Sequence, residues 1–209
     1  MILQKLELQS FGSNCYIIGD ETTKEGMIID PGADGSFIMK HVKALGLKIK
    51  LIVLTHSHID HVGALADVKE ATSAEIAIHE DEAPFLQKRP FRMAFLPPSP
   101  PAPPAEMLLK EGDIITVGKL KFKVLHTPGH TSGGICLVGD GIVFTGDTLF
   151  NFGIGRADFP GSNYDQELDS IRNKLMTLPD NYKVCPGHGP DSTIGAERKG
   201  NPFLNGTAF

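Results

Sequence analysis

The run Lys50-Leu51-Ile52-Val53-Leu54 passes without a break into Thr55-His56-Ser57-His58-Ile59-Asp60-His61. Uninterrupted β-branched and leucine residues read as a strand buried on both faces, so the polar cluster begins at the mouth of a sheet. Imidazole nitrogen and carboxylate oxygen are preferred donors for zinc. His56, His58, Asp60 and His61 supply four of them within six residues. In extended chain, residues two apart share a face, so His56 and His58 point the same way. A turn after them lets Asp60 and His61 address a second point nearby. The spacing suits two metal ions better than it suits a solvated polar loop.

The arrangement recurs. Lys121-Phe122-Lys123-Val124-Leu125 leads into His126-Thr127-Pro128-Gly129-His130, Ile142-Val143-Phe144 into Thr145-Gly146-Asp147-Thr148, and Tyr182-Lys183-Val184-Cys185 into Pro186-Gly187-His188-Gly189. Each time a short apolar run ends in a glycine-containing turn that presents a side chain able to bind metal. His130, Asp147 and His188 thereby join the candidate ligands.

The remainder of the chain must build a scaffold for these turns. With 209 residues, 41% of them hydrophobic, one sizeable core is affordable and a second is unnecessary, so a single domain over 1–209 is expected. A formal net charge of -5 gives no basic field for nucleic acid, and no apolar run reaches the length that spans a membrane. Met1 to Leu8 carries Glu7 within its apolar stretch and no small-residue cleavage site, which reads as a strand and not a signal peptide. A cytoplasmic location is expected. Cys15, Cys136 and Cys185 are odd in number and widely spaced, which argues against a disulfide framework.

Along the chain, Leu3 to Leu8 and Asn14 to Gly19 read as strands, and Met27 to Ile29 as a third that ends at Asp30-Pro31-Gly32. Ile38, Val42 and Leu45 repeat at helical spacing over 36–45, with Asp34 or Ser36 to cap the helix and Gly46 to close it. A helix over 63–71 follows the metal loop, then a strand over 75–79 whose alternation places His79 on the polar phase; His41 falls on the exposed side of its helix. Arg89 to Glu106 holds seven of the chain's 15 prolines and must be an extended surface loop. It serves as a spacer or as a cover for the site, and Phe91, Met93, Phe95 and Leu96 favour the second. Beyond it, two hairpins (114–125 and 135–144) and an amphipathic helix from Asp165 to Leu178 complete the pattern. Strands outnumber helices, and helices near the end of each half suggest two packed sheets with helices outside.

The series His56-x-His58-x-Asp60-His61, then His130, Asp147 and His188, resembles the metallo-β-lactamase superfamily of binuclear metallohydrolases over nearly the whole chain. Gly146-Asp147-Thr148-Leu149-Phe150, Gly155-Arg156 and Pro186-Gly187-His188-Gly189 resemble its glyoxalase II (hydroxyacylglutathione hydrolase) branch. The resemblance implies an α/β fold, the four-layer αββα sandwich. It implies that His56, His58 and His130 hold one divalent ion and Asp60, His61 and His188 another, with Asp147 bridging both and Asp60 counted also as catalytic. Zinc is the expected metal, with iron or manganese able to substitute. Only 189–209 follow the last ligand, so the chain resembles the short enzymes that lack the branch's C-terminal helical domain.

The chemistry implied is attack by a metal-bound hydroxide, because a bound ion lowers the pKa of water from 15.7 to about 7. An amide nitrogen must be protonated to leave, whereas a thiol of pKa about 8.5 can leave as thiolate, so a glutathione-type acyl thioester fits the residues best. In the branch, a cation shortly after the bridging aspartate receives the thiol's carboxylate. Arg156 stands at that place; its alternative is a surface ion pair with Asp158. A mononuclear-iron persulfide dioxygenase, a β-lactamase, a metallohydrolase of another small anionic ester and a metal-stabilised binding protein are the rivals. The sequence indicates a small-molecule substrate, no nucleic acid and no membrane partner, and assigns no oligomeric state.

Overall fold

The computed structural model describes residues 1–86 and 102–206. The chain divides into two compact units, one of residues 1–109 with 116–120, the other of 110–115 with 121–209. Most of the proline-rich stretch, including Phe91 to Leu96, lies outside the described residues.

The first unit runs β1 (Ile2–Leu8), β2 (Ser13–Gly19), β3 (Glu25–Ile29), α1 (Gly35–Leu45), β4 (Lys48–Val53), α2 (Ile59–Val62), α3 (Leu65–Thr72), β5 (Glu75–His79), α4 (Ala83–Leu86) and β6 (Met107–Leu109). Its six strands lie in chain order in one sheet. β1, β2 and β3 pair antiparallel, whereas β3 to β6 pair parallel. Parallel neighbours need crossover connections, which α1 and the α2–α3 pair supply. The consequence for function is geometric: the C-terminal ends of β3, β4 and β5 all fall on one edge of the sheet.

β4 shows how the sequence enforces this. Lys48 and Lys50 are exposed in its first half, and Leu51, Ile52 and Val53 are all buried in its second. Ile52 joins Ile17, Ile28 and Ile76 on the face that receives Ile38 and Val42 of α1 and Leu65 and Val68 of α3. Each such side chain contributes roughly 1.5–3 kcal/mol on burial, so a one-residue slip of β4 would be costly. Gly46 closes α1 in the left-handed region as its type allows, its amide bonding to the Lys43 and Val42 carbonyls. Asp34 stands before α1 in the left-handed region (φ 54°) but makes no side-chain cap; its Oδ1 accepts from the Ser10 hydroxyl at 3.4 Å instead.

The rest of the chain runs β7 (Ile114–Val117), β8 (Leu120–His126), β9 (Ile135–Gly139), β10 (Ile142–Gly146), β11 (Leu149–Phe150), β12 (Gly153–Ile154), α5 (Tyr164–Asn173), β13 (Lys183–Pro186), β14 (Ser192–Thr193) and α6 (Ile194–Gly200), all in the second unit except 116–120, which take in the end of β7, its turn and the start of β8. Its main sheet has the order β14-β13-β10-β9-β8-β7. The β9–β10 hairpin turns through Asp140 (φ 52°) and Gly141 (φ 76°), the left-handed pair that a tight two-residue connection requires. Because β8 and β10 are both antiparallel to β9, and β13 is parallel to β10, the chain leaves β8, β10 and β13 at the same edge. Leu125, Cys136, Val143 and Val184 of this sheet pack with Ile171 of α5, Leu175 and Ile194.

α5 ends at Asn173, earlier than the periodicity suggests, and a 3₁₀ turn over Leu175–Thr177 carries the chain on. α6 was not legible in a tail rich in proline and glycine. It is tied down by Glu197, which is fully buried and accepts from the Phe152 amide, the Ser192 hydroxyl and the Asn201 side chain. All three cysteines are buried and none is in a disulfide, and burial pushes the Cys15 thiol up and that of Cys136 to about 12. No helix among the described residues is long and apolar enough to cross a membrane.

Candidate metal centre

In the first unit the site grows from three parallel strand ends. β3 delivers Asp30, which has φ 52° and is 2% exposed. Its Oδ1 accepts the Thr55 amide at 2.7 Å, and its Oδ2 accepts the Thr55 hydroxyl at 2.6 Å and His61 Nδ1–H at 2.9 Å. One carboxylate thus fixes both ends of the loop that follows β4. Having given its proton to Asp30, Thr55 Oγ1 can only accept from His56 Nδ1, 3.1 Å away. Both imidazoles are thereby held in the tautomer that presents Nε2 as a lone pair, the orientation that outer-sphere partners give metal-binding histidines.

His56 Nε2 lies 3.0 Å from His58 Nδ1. Two nitrogens bound tetrahedrally at about 2.0–2.1 Å from one zinc ion would sit about 3.3 Å apart, so this pair is close to a ligand spacing. Asp60 and His61 sit on the short helix α2, where the sequence suggested a plain turn, with Asp60 Oδ2 and His61 Nε2 3.8 Å apart. The backbone at Asp60 is held tightly. Ser13 Oγ donates to its carbonyl at 2.7 Å, and a Cβ on Gly32 would lie 1.6 Å from that oxygen. The third strand end, after β5, brings buried Glu82, whose Oε1 accepts the Ser57 amide (3.0 Å) and hydroxyl (2.6 Å) between the two histidines.

His79, expected on a polar face, is instead 3% exposed, because β5 is covered on both sides. Its Nδ1 accepts the Asp81 amide at 3.2 Å. His41 is half-buried against Phe37, its Nδ1 bonded to the Phe37 carbonyl at 2.9 Å.

In the second unit, His130 Nε2 and His188 Nε2 each lie 3.7 Å from Asp147 Oδ2. The three come from separate turns, after β8, β10 and β13. His130 Nδ1 donates to the Arg156 carbonyl at 2.8 Å, which again turns Nε2 toward the carboxylate. Gly187 N bonds to Gly146 O at 2.7 Å and locks the His188 turn beside the Asp147 turn. A Cβ on Gly155 would meet Asp147 O at 2.0 Å and His130 Cβ at 3.0 Å, so only glycine lets the Arg156 turn approach. His126 Nε2 bonds to the Ser132 carbonyl at 2.9 Å, consistent with a structural role.

Glu167 of α5 is fully buried, and its Oε2 accepts the His130 amide at 2.6 Å. Burial, opposed by the His130 amide and reinforced by the charge of Asp147, pushes its carboxyl up to about 8. Arg156 is exposed. Its Nε and NH2 groups grip Asp158 at 3.0 and 2.9 Å, and its guanidinium lies 4.4 Å from the centre of the Phe159 ring. The ion pair weighed in the sequence is therefore formed, and it holds the Asp158 carboxyl below the usual range.

Sequence reasoning missed Asp30, Thr55, Glu82 and Glu167. Asp30-Pro31-Gly32 read as a strand terminator, which hid the carboxylate. The signal available was an aspartate at the end of a buried strand, where an unpaired charge is costly and implies partners. Each unit offers a donor set suited to a divalent cation: nitrogen and carboxylate oxygen, imidazole tautomers fixed from behind, and spacings near those of shared ligands.

Comparison with known proteins identifies the family. The family model described as the metallo-beta-lactamase superfamily matches residues 9–188. Hydroxyacylglutathione hydrolase GloC of Haemophilus influenzae is 37% identical, the match covering 98% of this chain and 99% of that protein. Among solved structures, the BLEG-1 B3 metallo-beta-lactamase superposes with a TM-score of 0.90 at 35% identity, covering 97% of this chain and 99% of that one. A di-iron-bound form of TTHA1623 does so with a TM-score of 0.86 at 33% identity, covering 96% and 100%. The mixed α/β fold expected from the sequence is the fold of these proteins, and the chain belongs to the metallo-beta-lactamase superfamily.

Proposed function

We propose that this chain is a binuclear metal-dependent hydrolase of acyl thioesters with an anionic, glutathione-type thiol portion, and that its two units are halves of one hydrolase domain. Following the superfamily's pattern, His56, His58 and His130 hold one ion, Asp60, His61 and His188 the other, and Asp147 both. The observation that carries this reading is the set of imidazole orientations: Thr55, Asp30 and the Arg156 carbonyl bond to Nδ1 of His56, His61 and His130 respectively. Zinc is the metal favoured by this donor set, and the di-iron form of TTHA1623 keeps iron in view. When bound, such ions supply Lewis acidity and lower the pKa of water to about 7.

The protein's own groups do the rest. Asp30 and Glu82 hold the ligand loop from behind, so that no donor must reorganise when substrate arrives. No side chain beyond the ligands is needed to protonate a thiolate as it departs, which distinguishes a thioester from an amide. The name of the GloC relative supports a hydroxyacyl glutathione substrate. Arg156 docks the thiol's carboxylate, using the guanidinium edge that Asp158 leaves open or displacing Asp158 from its own.

The test is anaerobic purification with metal analysis, then parallel assays of a glutathione acyl thioester, a β-lactam, and oxygen uptake with glutathione persulfide. Two ions per chain and dominant thioester hydrolysis are expected. Faster β-lactam hydrolysis would replace the reading with a lactamase, and oxygen uptake by protein holding one iron, without thioester hydrolysis, would replace it with a dioxygenase.

A further inference from the structure

A loop that carries a metal ligand after a strand end has backbone donors and acceptors that no strand partner satisfies. In the second unit one helix satisfies them. Pro128 O accepts from Ser170 Oγ at 2.6 Å, Gly129 O from the Asn163 amide at 2.8 Å, and the His130 amide donates to Glu167 Oε2 at 2.6 Å. Three consecutive residues of the loop are each bonded to α5 or to its cap. The approach leaves no slack: Gly129 has φ 149°, and a Cβ there would lie 2.3 Å from Glu167 Cα. Gly155 closes the other side, its added Cβ meeting Glu167 Oε1 at 2.9 Å as well as His130 Cβ.

α5 also shows what Glu167 is not. Its apolar contacts come from Ile171, and the buried positions of the helix are Glu167, Ser170 and Ile171. Two of these three are polar, on a face where the folding of an amphipathic helix asks for apolar side chains. Burying a carboxylate is expensive unless it is well bonded. Glu167 bonds to the backbone of His130, and Ser170, one turn along the same face, bonds to the backbone two residues before it. With the His130 ring anchored separately at Nδ1 by Arg156 O, the backbone and the ring of one residue are fixed from two directions.

We propose that Glu167, seconded by Ser170, is a positioning residue that sets the height of His130 over Asp147 and so the affinity of the ion that His130 holds. This rests on the reading of His130 as a metal ligand. Partners of this kind change metal affinity by about 10–100-fold when removed.

The experiment measures the two metal affinities by chelator competition in the full chain, with the thermal midpoint of the metal-free protein followed in parallel. Glu167→Met fills the same space and accepts no hydrogen bond. It should weaken one ion by about tenfold or more and leave the other within about threefold, while the metal-free midpoint falls, because the His130 amide loses its acceptor. Glu167→Gln keeps an acceptor and should restore the affinity to within about threefold of the original protein. Wild-type affinity in Glu167→Met, or equal loss in Met and Gln variants, would overturn the proposal. Should Glu167→Met not fold, Ser170→Ala decides: a loss of about threefold or more at the same ion supports the platform, and no loss overturns it. If the unaltered protein itself binds fewer than two ions, the metal-centre reading fails instead.

Discussion

The two units present their candidate ligands in opposite ways. The first draws all four of its candidates from one seven-residue stretch, Thr55 to His61, and the second gathers three from turns that follow β8, β10 and β13, up to 58 residues apart in sequence (His130 to His188). A contiguous set needs only one loop held rigid, and Asp30, Thr55 and Glu82 hold it. A dispersed set must have separate turns brought into register by the sheet. In the second unit that task falls to strand direction, to the Gly187–Gly146 bond and to α5. Local density makes a site visible; topology makes it function.

The sharpest way to break the comparison is at Asp147, which faces both His130 and His188. Asp147→Ala should lower kcat/KM at least about a thousandfold, a loss of roughly 4 kcal/mol in transition-state stabilisation, and release metal. His41→Ala, in the first unit and away from every candidate ligand, should stay within about twofold. Steady-state kinetics with metal content measured on the same samples checks both, and comparable losses in the two would sink the assignment of Asp147.

The glycines come next. Gly32→Ala puts a methyl group 1.6 Å from the Asp60 carbonyl, and Gly155→Ala puts one 2.0 Å from that of Asp147. Both contacts are to backbone, which cannot swing aside as a side chain can. Each substitution should cost about a hundredfold in activity, since small displacements of a positioned group have effects of that order. Gly32→Ala should weaken the ion proposed for Asp60 and His61, whereas Gly155→Ala should disturb the turns that carry His130 and Asp147. Metal titration of each variant distinguishes these outcomes, and identical patterns would argue that the two halves are not built independently.

How much of this was legible beforehand follows the same division. The strand into the first loop, its four candidate donors and the recurring pattern of strand, turn and donor are readable because burial runs and donor types are local properties. His79 was misplaced because alternation in a short strand cannot tell a half-exposed sheet from one covered on both faces. Glu167 was invisible for a related reason: a glutamate on a helix reads as solvated unless the loop that needs its acceptor is already in place. The placement of Asp60 and His61 on α2 also escaped a pattern of only four residues.

A milder cut tests the scaffold of the contiguous set. Asp30→Asn keeps the shape of the side chain but exchanges one acceptor oxygen for an N–H group, so it can no longer satisfy Thr55 and His61 together. The His61 tautomer is then no longer imposed. Metal affinity should fall about 10–100-fold, less than for loss of a ligand. Chelator competition gives the number, and an unchanged affinity would show that the loop is rigid without its central carboxylate.

The smallest expected effect is at Arg156, and it concerns recognition and not assembly. Its backbone carbonyl orients His130, but its side chain is exposed and already paired with Asp158. A surface ion pair of this kind contributes little to stability, so the thermal midpoint of Arg156→Ala should hardly change. If the guanidinium docks a substrate carboxylate, however, the charge-assisted contact is worth about 1.5–3 kcal/mol, and KM for an anionic thioester should rise about tenfold or more. Because the contact is remote from the breaking bond, kcat should fall less. A neutral thioester without the carboxylate should be indifferent to the substitution. Asp158→Asn sharpens the test: freed from its neighbour's charge, Arg156 should bind the anionic substrate more tightly and lower KM. A rise in KM for both substrates in Arg156→Ala, with no response to Asp158→Asn, would confine the pair to a structural role at the surface.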